Sequence, residues 1–115
     1  MRILFEQGTP VPARQYLSHH AVSISADPGW DRLQNGDLLI TAEKAGFALL
    51  LTTDKNLRYQ QNLKERSIAI VVIGHSQWPA LKPHMQSVVD AVDTATPGSY
   101  AEVDIPHSKS GRSDS

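Results

Sequence analysis

Residues 47–54, Phe-Ala-Leu-Leu-Leu-Thr-Thr-Asp, contain the stretch that decides the fold. The first five of these residues are all apolar, so a strand formed here has no polar face to turn toward water. Strands of this kind are typical of parallel sheets, in which helices cover both faces. Residues 68–73, Ile-Ala-Ile-Val-Val-Ile, form a second run of the same type. The two runs predict buried strands of a parallel sheet.

Weaker patterns on either side of these runs predict that strands and helices alternate along the chain. Proline at the start of a helix, glycine after its end and apolar residues at helical spacing mark the helices. The resulting order, β-α-β-α-β-α-β-α-β, favours a doubly wound α/β sheet with right-handed crossovers. The predicted strands are residues 2–5, 21–25, 47–51, 68–73 and 100–105, and the predicted helices are residues 10–18, 35–45, 56–64 and 79–95.

Composition places narrow limits on the kind of protein. The chain has 115 residues and no cysteine, which fits one domain without disulfides or thiolate metal sites. We predict a domain over residues 1–105 and a polar, serine-rich, disordered tail over residues 106–115. No apolar stretch has the length of a signal sequence or a membrane span, so we expect a soluble cytoplasmic protein with no membrane association.

The charge pattern argues against a tight non-specific nucleic-acid binder. The formal net charge is −1, and the lysines and arginines are scattered rather than clustered. If RNA is the substrate, a metal ion and a local basic patch must hold it.

Acidic residues follow two of the predicted strands. Glu6 comes directly after the first strand, and Asp54 comes just after the third. Ligand sites of open parallel sheets lie outside the carboxyl ends of the strands. If the two strands are neighbours, the carboxylates repel each other unless a cation lies between them. Mg²⁺ and Mn²⁺ prefer such oxygen ligands.

Asp37 lies at the start of the second predicted helix, and the crossover can bring it to the same edge of the sheet. Three carboxylates around one divalent ion suit phosphodiester hydrolysis, since the ion lowers the pKa of bound water and shields charge on the phosphate. Simpler interpretations stay open for each residue. Asp37 can be a residue that satisfies the free N–H groups of the helix start, Asp54 a turn residue and Glu6 a surface residue.

Other polar and aromatic features carry weaker signals. His19 and His20 are adjacent, and because neighbouring side chains of a strand point apart, we do not expect them to bind one metal ion. Trp30 and Trp78 are interpreted as packing residues. Residues 8–10, Gly-Thr-Pro, precede a helix start but lack a glycine-rich phosphate fingerprint.

Three stretches resemble the motifs of small bacterial PIN-like domain proteins, which are relatives of VapC-type toxin nucleases. The resemblance extends over about residues 1–105, and the segment at the end of the third strand is its most specific part. The stretches are Leu-Phe-Glu-Gln-Gly-Thr-Pro at residues 4–10, Asn-Gly-Asp-Leu-Leu at residues 35–39 and Leu-Thr-Thr-Asp-Lys-Asn-Leu at residues 51–57.

The resemblance implies a three-layer α/β/α sandwich with a mainly parallel central sheet and Mg²⁺- or Mn²⁺-dependent cleavage of RNA. It places Glu6, Asp37 and Asp54 at the three acidic catalytic and metal-binding positions, with Asn56 as an assisting residue. It also implies a toxin of a toxin–antitoxin pair, with a small antitoxin protein as partner, and a homodimer. The sequence departs from the family at Glu6, where aspartate is usual, and at Gln7, where many relatives have a second acid.

Two other functions remain as alternatives. The first is a catalytically inactive PIN-like interaction module. The replacement of the usual family residues by Glu6 and Gln7 is consistent with a protein that has lost catalysis. A receiver-like phosphoacceptor domain also has acids after its first and third strands, and Asp54 would then be phosphorylated. The sequence offers such a domain no second acid beside Glu6, no lysine at the end of a core fifth strand and no closing helix after Ile105.

Overall fold

The computed structural model describes residues 1–6, 8–24, 33, 35–54, 66–74 and 77–105. A helical segment separates consecutive strands in three of the four connections, as predicted, and most of the connection between the third and fourth strands lies outside the described residues. The strands are β1 (Arg2–Phe5), β2 (Ala21–Ile24), β3 (Leu49–Thr52), β4 (Ala69–Ile73) and β5 (Tyr100–Val103), and the α-helices are α1 (Asn35–Lys44), α2 (Trp78–Leu81) and α3 (Met85–Asp93). Two 3₁₀ helices span Val11–Leu17 and Lys82–His84. The predicted helix over residues 56–64 and the predicted tail over residues 106–115 lie outside the described residues.

The five strands form one sheet in which every pairing is parallel, so the predicted α/β class with a parallel sheet is confirmed. The strand order is β2-β1-β3-β4-β5. Strand β1 therefore pairs on both sides, with Phe5 opposite Ile24 of β2 and opposite Leu51 of β3. β5 is an edge strand of this sheet, paired with β4.

Each face of the sheet has its own apolar core, because alternate side chains of a strand point to opposite faces. On one face, Phe5 and Leu51 belong to a cluster with Leu17 of the 3₁₀ helix and Val88 of α3. On the other face, apolar residues of the three central strands pack with α1. These residues are Leu4, Leu50, Ile70, Val72, Leu38, Leu39 and Ala42.

The prediction of one continuous helix over residues 79–95 is wrong. The segment consists of α2, the 3₁₀ helix Lys82–His84 and α3. Pro83 explains the break, because it has no N–H to donate and its ring clashes with the carbonyl of the preceding turn. The third strand is also shifted relative to the prediction. It begins at Leu49 rather than Phe47, and it includes Thr52.

Helix α1 ends at the glycine that the sequence predicts. Gly46 has a φ of +92°, and its N–H donates to Glu43 O while Phe47 N–H donates to Ala42 O. This pair of bonds is the Schellman arrangement of a helix C-terminus. The Arg2 guanidinium donates to Ala45 O over 2.6 Å, so a cation lies where the helix dipole favours one. This end of α1 therefore lies beside the start of β1.

Glu43 joins α1 to the chain that enters β4. Its carboxylate accepts hydrogen bonds from Ser67 N–H, from Ser67 Oγ over 2.9 Å and from the Arg66 guanidinium over 3.1 Å. These donors, the Ser67 N–H first, hold the pKa of the Glu43 carboxyl down at about 2.

No helix among the described residues is long and apolar enough to cross a membrane.

We predict that Glu43→Gln lowers the free energy of unfolding by about 1–3 kcal/mol at neutral pH, because the amide replaces a charged acceptor. A lowered pKa stabilises the fold fully above the unfolded value of 4.5, and this contribution is lost as the pH falls toward about 2. The difference between wild type and variant should therefore shrink over that pH range. Urea unfolding at a series of pH values measures it.

The matched control for this prediction is Glu102→Gln on the edge strand β5. Glu102 is exposed and accepts a hydrogen bond from the Tyr100 hydroxyl over 2.7 Å. A loss of stability as large in Glu102→Gln as in Glu43→Gln would contradict the role given to Glu43.

Candidate functional site at the carboxyl edge of the sheet

Strands β1 and β3 end side by side at the carboxyl edge of the sheet. Their last aligned residues are Phe5 and Leu51, and the Glu6 N–H then donates to Leu51 O over 2.9 Å. The backbone of Glu6 is thereby fixed against β3, one residue beyond its own strand. β1 and β3 are consecutive in space but not in sequence, and the crevice between such strands is where ligands bind in open α/β sheets.

A buried threonine connects the two acidic residues at this edge. The side chain of Thr52, fully buried, donates a hydrogen bond to Glu6 Oε1 over 2.7 Å. The same hydroxyl accepts a hydrogen bond from Asp54 N–H over 3.1 Å. The sequence predictions for Glu6 and Asp54 did not include Thr52 in the site. The one sequence feature that could have indicated Thr52 is its position as a polar, β-branched residue directly after the apolar run of residues 47–51.

Electrostatics disfavour the ionised form of Glu6. Burial raises the pKa of the Glu6 carboxyl, and repulsion by the Asp54 carboxylate raises it further. Hydrogen bonds from the Thr52 hydroxyl and the Thr53 backbone act in the opposite direction without cancelling the rise. The two acids are thus close enough to interact, as predicted from their positions at neighbouring strand ends.

The turn that follows Glu6 is held against the same strand end. Gly8 has a φ of +100°, which favours glycine, and Thr9 N–H donates to Glu6 O over 3.0 Å. The buried Thr9 hydroxyl donates to Leu51 O over 3.1 Å. These bonds fix the backbone on both sides of Glu6. Gln7 lies outside the described residues.

Asp37 lies in the first turn of α1 and is exposed. Because the other end of α1 contacts Arg2 at the start of β1, the Asp37 end lies toward the carboxyl edge. Within the described part of the chain, however, Glu6, Asp37 and Asp54 do not form a set whose ligand atoms all lie within 4.8 Å of one another. Asn56 lies outside the described residues. The metal-binding roles of these residues stay predictions.

The prediction that His19 and His20 point apart is wrong. The two residues lie in the turn between the 3₁₀ helix Val11–Leu17 and β2, not in a strand. In this turn both Nε2 atoms contact one oxygen of Asp93, at 2.9 Å for His19 and 2.8 Å for His20. The hydrogen bonds with His20 and then His19 lower the pKa of the Asp93 carboxyl. Asp93 is more than 70 residues away along the chain, so no local pattern could identify it as the third member.

Comparisons with protein-family models, with curated proteins and with solved structures gave no match for this chain.

We predict that Glu6→Gln raises the free energy of unfolding at neutral pH, because an uncharged amide keeps an acceptor for Thr52 without the desolvation and repulsion. Because the pKa of Glu6 is higher in the folded state than in the unfolded state, the folded state keeps the proton to a higher pH. The free energy of unfolding of the wild type therefore falls as the pH rises from 4.5 through the raised pKa. The Glu6→Gln variant should not show this decrease in the free energy of unfolding. Urea unfolding at a series of pH values from acid to neutral measures the decrease in both proteins.

Glu102→Gln is again the matched control, since its carboxylate is exposed on β5. If Glu6→Gln follows the same pH dependence as wild type, the electrostatic cost assigned to Glu6 is absent.

Proposed function

We propose that this chain is a PIN-like, metal-dependent ribonuclease with the three-layer α/β/α sandwich of that family. The observation that supports it best is the coupled carboxylate pair, Glu6 and Asp54, at the crevice between β1 and β3. Glu6 is half-buried, repelled by Asp54 and supported by a fully buried hydroxyl. The charge of Asp54 raises the pKa of the Glu6 carboxyl, and a bound cation would remove that electrostatic cost.

The chemistry of the donors fits Mg²⁺ or Mn²⁺. Both ions take carboxylate oxygens and water, and a cation between Glu6 and Asp54 removes the repulsion that raises the pKa of Glu6. Glu6 and Asp54 would hold the ion, Asp37 would contribute from the start of α1, and Asn56 would assist. When bound, the ion supplies an activated water and shields charge on the phosphate.

The protein's own residues fix the site. Thr52 orients the Glu6 carboxylate through a partly buried hydrogen bond, and it holds the backbone at Asp54. The Glu6 N–H and the Thr9 hydroxyl both donate to Leu51 O of β3, and these bonds hold the backbone around the first acid against the strand that leads to the second. In the sequence, Lys55, Arg58 and Lys64 follow Asp54 and supply positive charge for an RNA phosphate.

The family resemblance extends the proposal to the biological role. The chain would be the toxin of a toxin–antitoxin pair in the cytoplasm, would form a homodimer and would be inhibited by a small antitoxin protein. An inactive PIN-like interaction module is the alternative that follows from Glu6 and Gln7.

The strand order favours one further candidate. The order β2-β1-β3-β4-β5 is also that of receiver-like domains, in which an acid follows the third strand. Asp54 would then accept a phosphoryl group. The residues after β5 are Asp104 and Ile105, so no lysine lies at that strand end. Intact-mass measurement after incubation with a small phosphodonor tests this candidate, and an adduct at Asp54 would support it over the nuclease.

We predict that Mg²⁺ or Mn²⁺ raises the melting temperature of the wild type, because an ion that binds only the folded state stabilises it by mass action. At a free concentration about 100 times the dissociation constant, the gain is about 2.7 kcal/mol. Asp54→Asn should abolish this gain and any metal-dependent RNA cleavage. Differential scanning fluorimetry and a cleavage assay with mixed RNA substrates measure the two effects.

Asp104→Asn is the matched control, because Asp104 also follows a strand but β4 lies between its strand and β3. It should keep the full response. No stabilisation of the wild type by either ion, together with no cleavage of any RNA, would contradict the metal site and favour the inactive module.

A further inference from the structure

A second group of metal-ligating side chains lies at the opposite edge of the sheet from Glu6 and Asp54. His19 and His20 directly precede β2, and Asp93 is the last residue of α3 before the turn that leads to β5. Among the described residues, these three form the only set of three His, Asp or Glu side chains whose ligand atoms all lie within 4.8 Å of one another. The set therefore has no member in common with the carboxylate site.

The three side chains converge on one point in space. His19 Nε2 and His20 Nε2 lie 2.9 and 2.8 Å from the same oxygen, Asp93 Oδ1. The two imidazole rings are tilted by 44° with their centres 4.1 Å apart. In a tetrahedral zinc site with bonds of about 2.0–2.2 Å, neighbouring ligand atoms are about 3.3 Å apart. The two N–O distances are shorter than this, so an ion enters the group when the side chains give up these hydrogen bonds and move apart.

The surroundings favour a cation and leave one side accessible. The carbonyl end of α3 carries partial negative charge, so an acid at this end gains from a positive neighbour. The amino group of Met1 donates a hydrogen bond to Nδ1 of His20 over 3.1 Å, so both ring nitrogens of His20 have a partner. His20 is only 10% exposed, whereas His19 and Asp93 are 50% and 43% exposed.

We propose that His19, His20 and Asp93 form a binding site for a divalent transition-metal ion of the Zn²⁺ class. Two imidazoles and one carboxylate are a donor set that selects such ions over Mg²⁺, which prefers oxygen ligands alone. The exposed side of the group leaves a fourth coordination position for water or a small anion. His20 also lines an open cavity of about 560 Å³, whose lining includes Arg14.

The bound ion would connect two parts of the chain that are distant in sequence. It would tie the turn before β2 to the end of α3, two segments that are 73 or 74 residues apart. The same three side chains hold these segments together through hydrogen bonds in the absence of metal. A group that is only hydrogen-bonded can be told from a metal site by experiment, because only a metal site binds Zn²⁺ and is stabilised by it.

The test is a titration of the untagged chain with Zn²⁺ at about pH 7.5, above the ordinary histidine pKa of about 6.5. Isothermal calorimetry and thermal melts are recorded for wild type, His19→Gln and Asp93→Asn. We expect one site in the wild type and a rise in melting temperature on the order of 10 °C when free Zn²⁺ is about 100 times its dissociation constant. His19 and Asp93 are exposed, so the variants should fold.

We expect each variant to bind Zn²⁺ more than about 100-fold more weakly, since loss of a residue that only orients a metal ligand already costs roughly 10- to 100-fold. His84→Gln is the matched control, because His84 lies in the 3₁₀ helix Lys82–His84 outside the group, and it should bind as wild type does. Asp54→Asn should also keep the response, which separates this site from the carboxylate pair. Absence of Zn²⁺ binding in the wild type, or binding that persists in both His19→Gln and Asp93→Asn, would overturn the proposal.

Discussion

Phe5 lies opposite Leu51, and this register of β1 on β3 governs both the packing of the core and the geometry of the acidic edge. β1 pairs with β2 on its other side, so its position is fixed from two directions. A slip by one residue would move Ile3 and Phe5 to the face that packs on α1 and would bring Leu4 to the other core. It would also separate Glu6 from Thr52. The apolar packing of the sheet thus keeps the two acids together against their mutual repulsion.

The described carboxylates with shifted pKa values fall into two groups. Glu43 and Asp93 each accept several hydrogen bonds, and donors lower the pKa of both carboxyls. Glu6 receives hydrogen bonds as well, but burial and the nearby Asp54 raise its pKa. Hydrogen-bond donors of the protein therefore satisfy Glu43 and Asp93, whereas Glu6 is left with a cost that a cation would remove. This contrast supports Glu6 and Asp54, rather than another acid on the described surface, as the place for Mg²⁺ or Mn²⁺.

The sequence allowed most of the fold to be predicted, because its signals were local. Five strands, the parallel sheet, the end of α1 at Gly46 and the position of Glu6 and Asp54 beyond neighbouring strand ends all follow from apolar runs, glycine and strand-end positions. Two predictions failed where the deciding interaction was not visible in a short window. The apolar spacing predicts one helix over residues 79–95, yet Pro83 has no N–H to donate and the segment consists of three pieces. The side chains of His19 and His20 were predicted to point apart, as neighbours in a strand do. The two residues lie in a turn instead, and both side chains contact Asp93. Neither Thr52 as the link between the acids nor Asp93 as a partner could be found from spacing, since each acts through contacts between segments distant in sequence.

The most direct test of a cation site between the ends of β1 and β3 is an NMR titration of the ¹⁵N-labelled chain with Mn²⁺, which broadens the signals of nearby amides. We predict that the amides of Glu6, Thr52 and Asp54 broaden at the lowest Mn²⁺ concentrations, while Asp104 at the end of β5 stays sharp until higher ones. Broadening confined to the turn at His19 and His20, or spread evenly over exposed carboxylates while Glu6 and Asp54 stay sharp, would contradict a metal site at this edge.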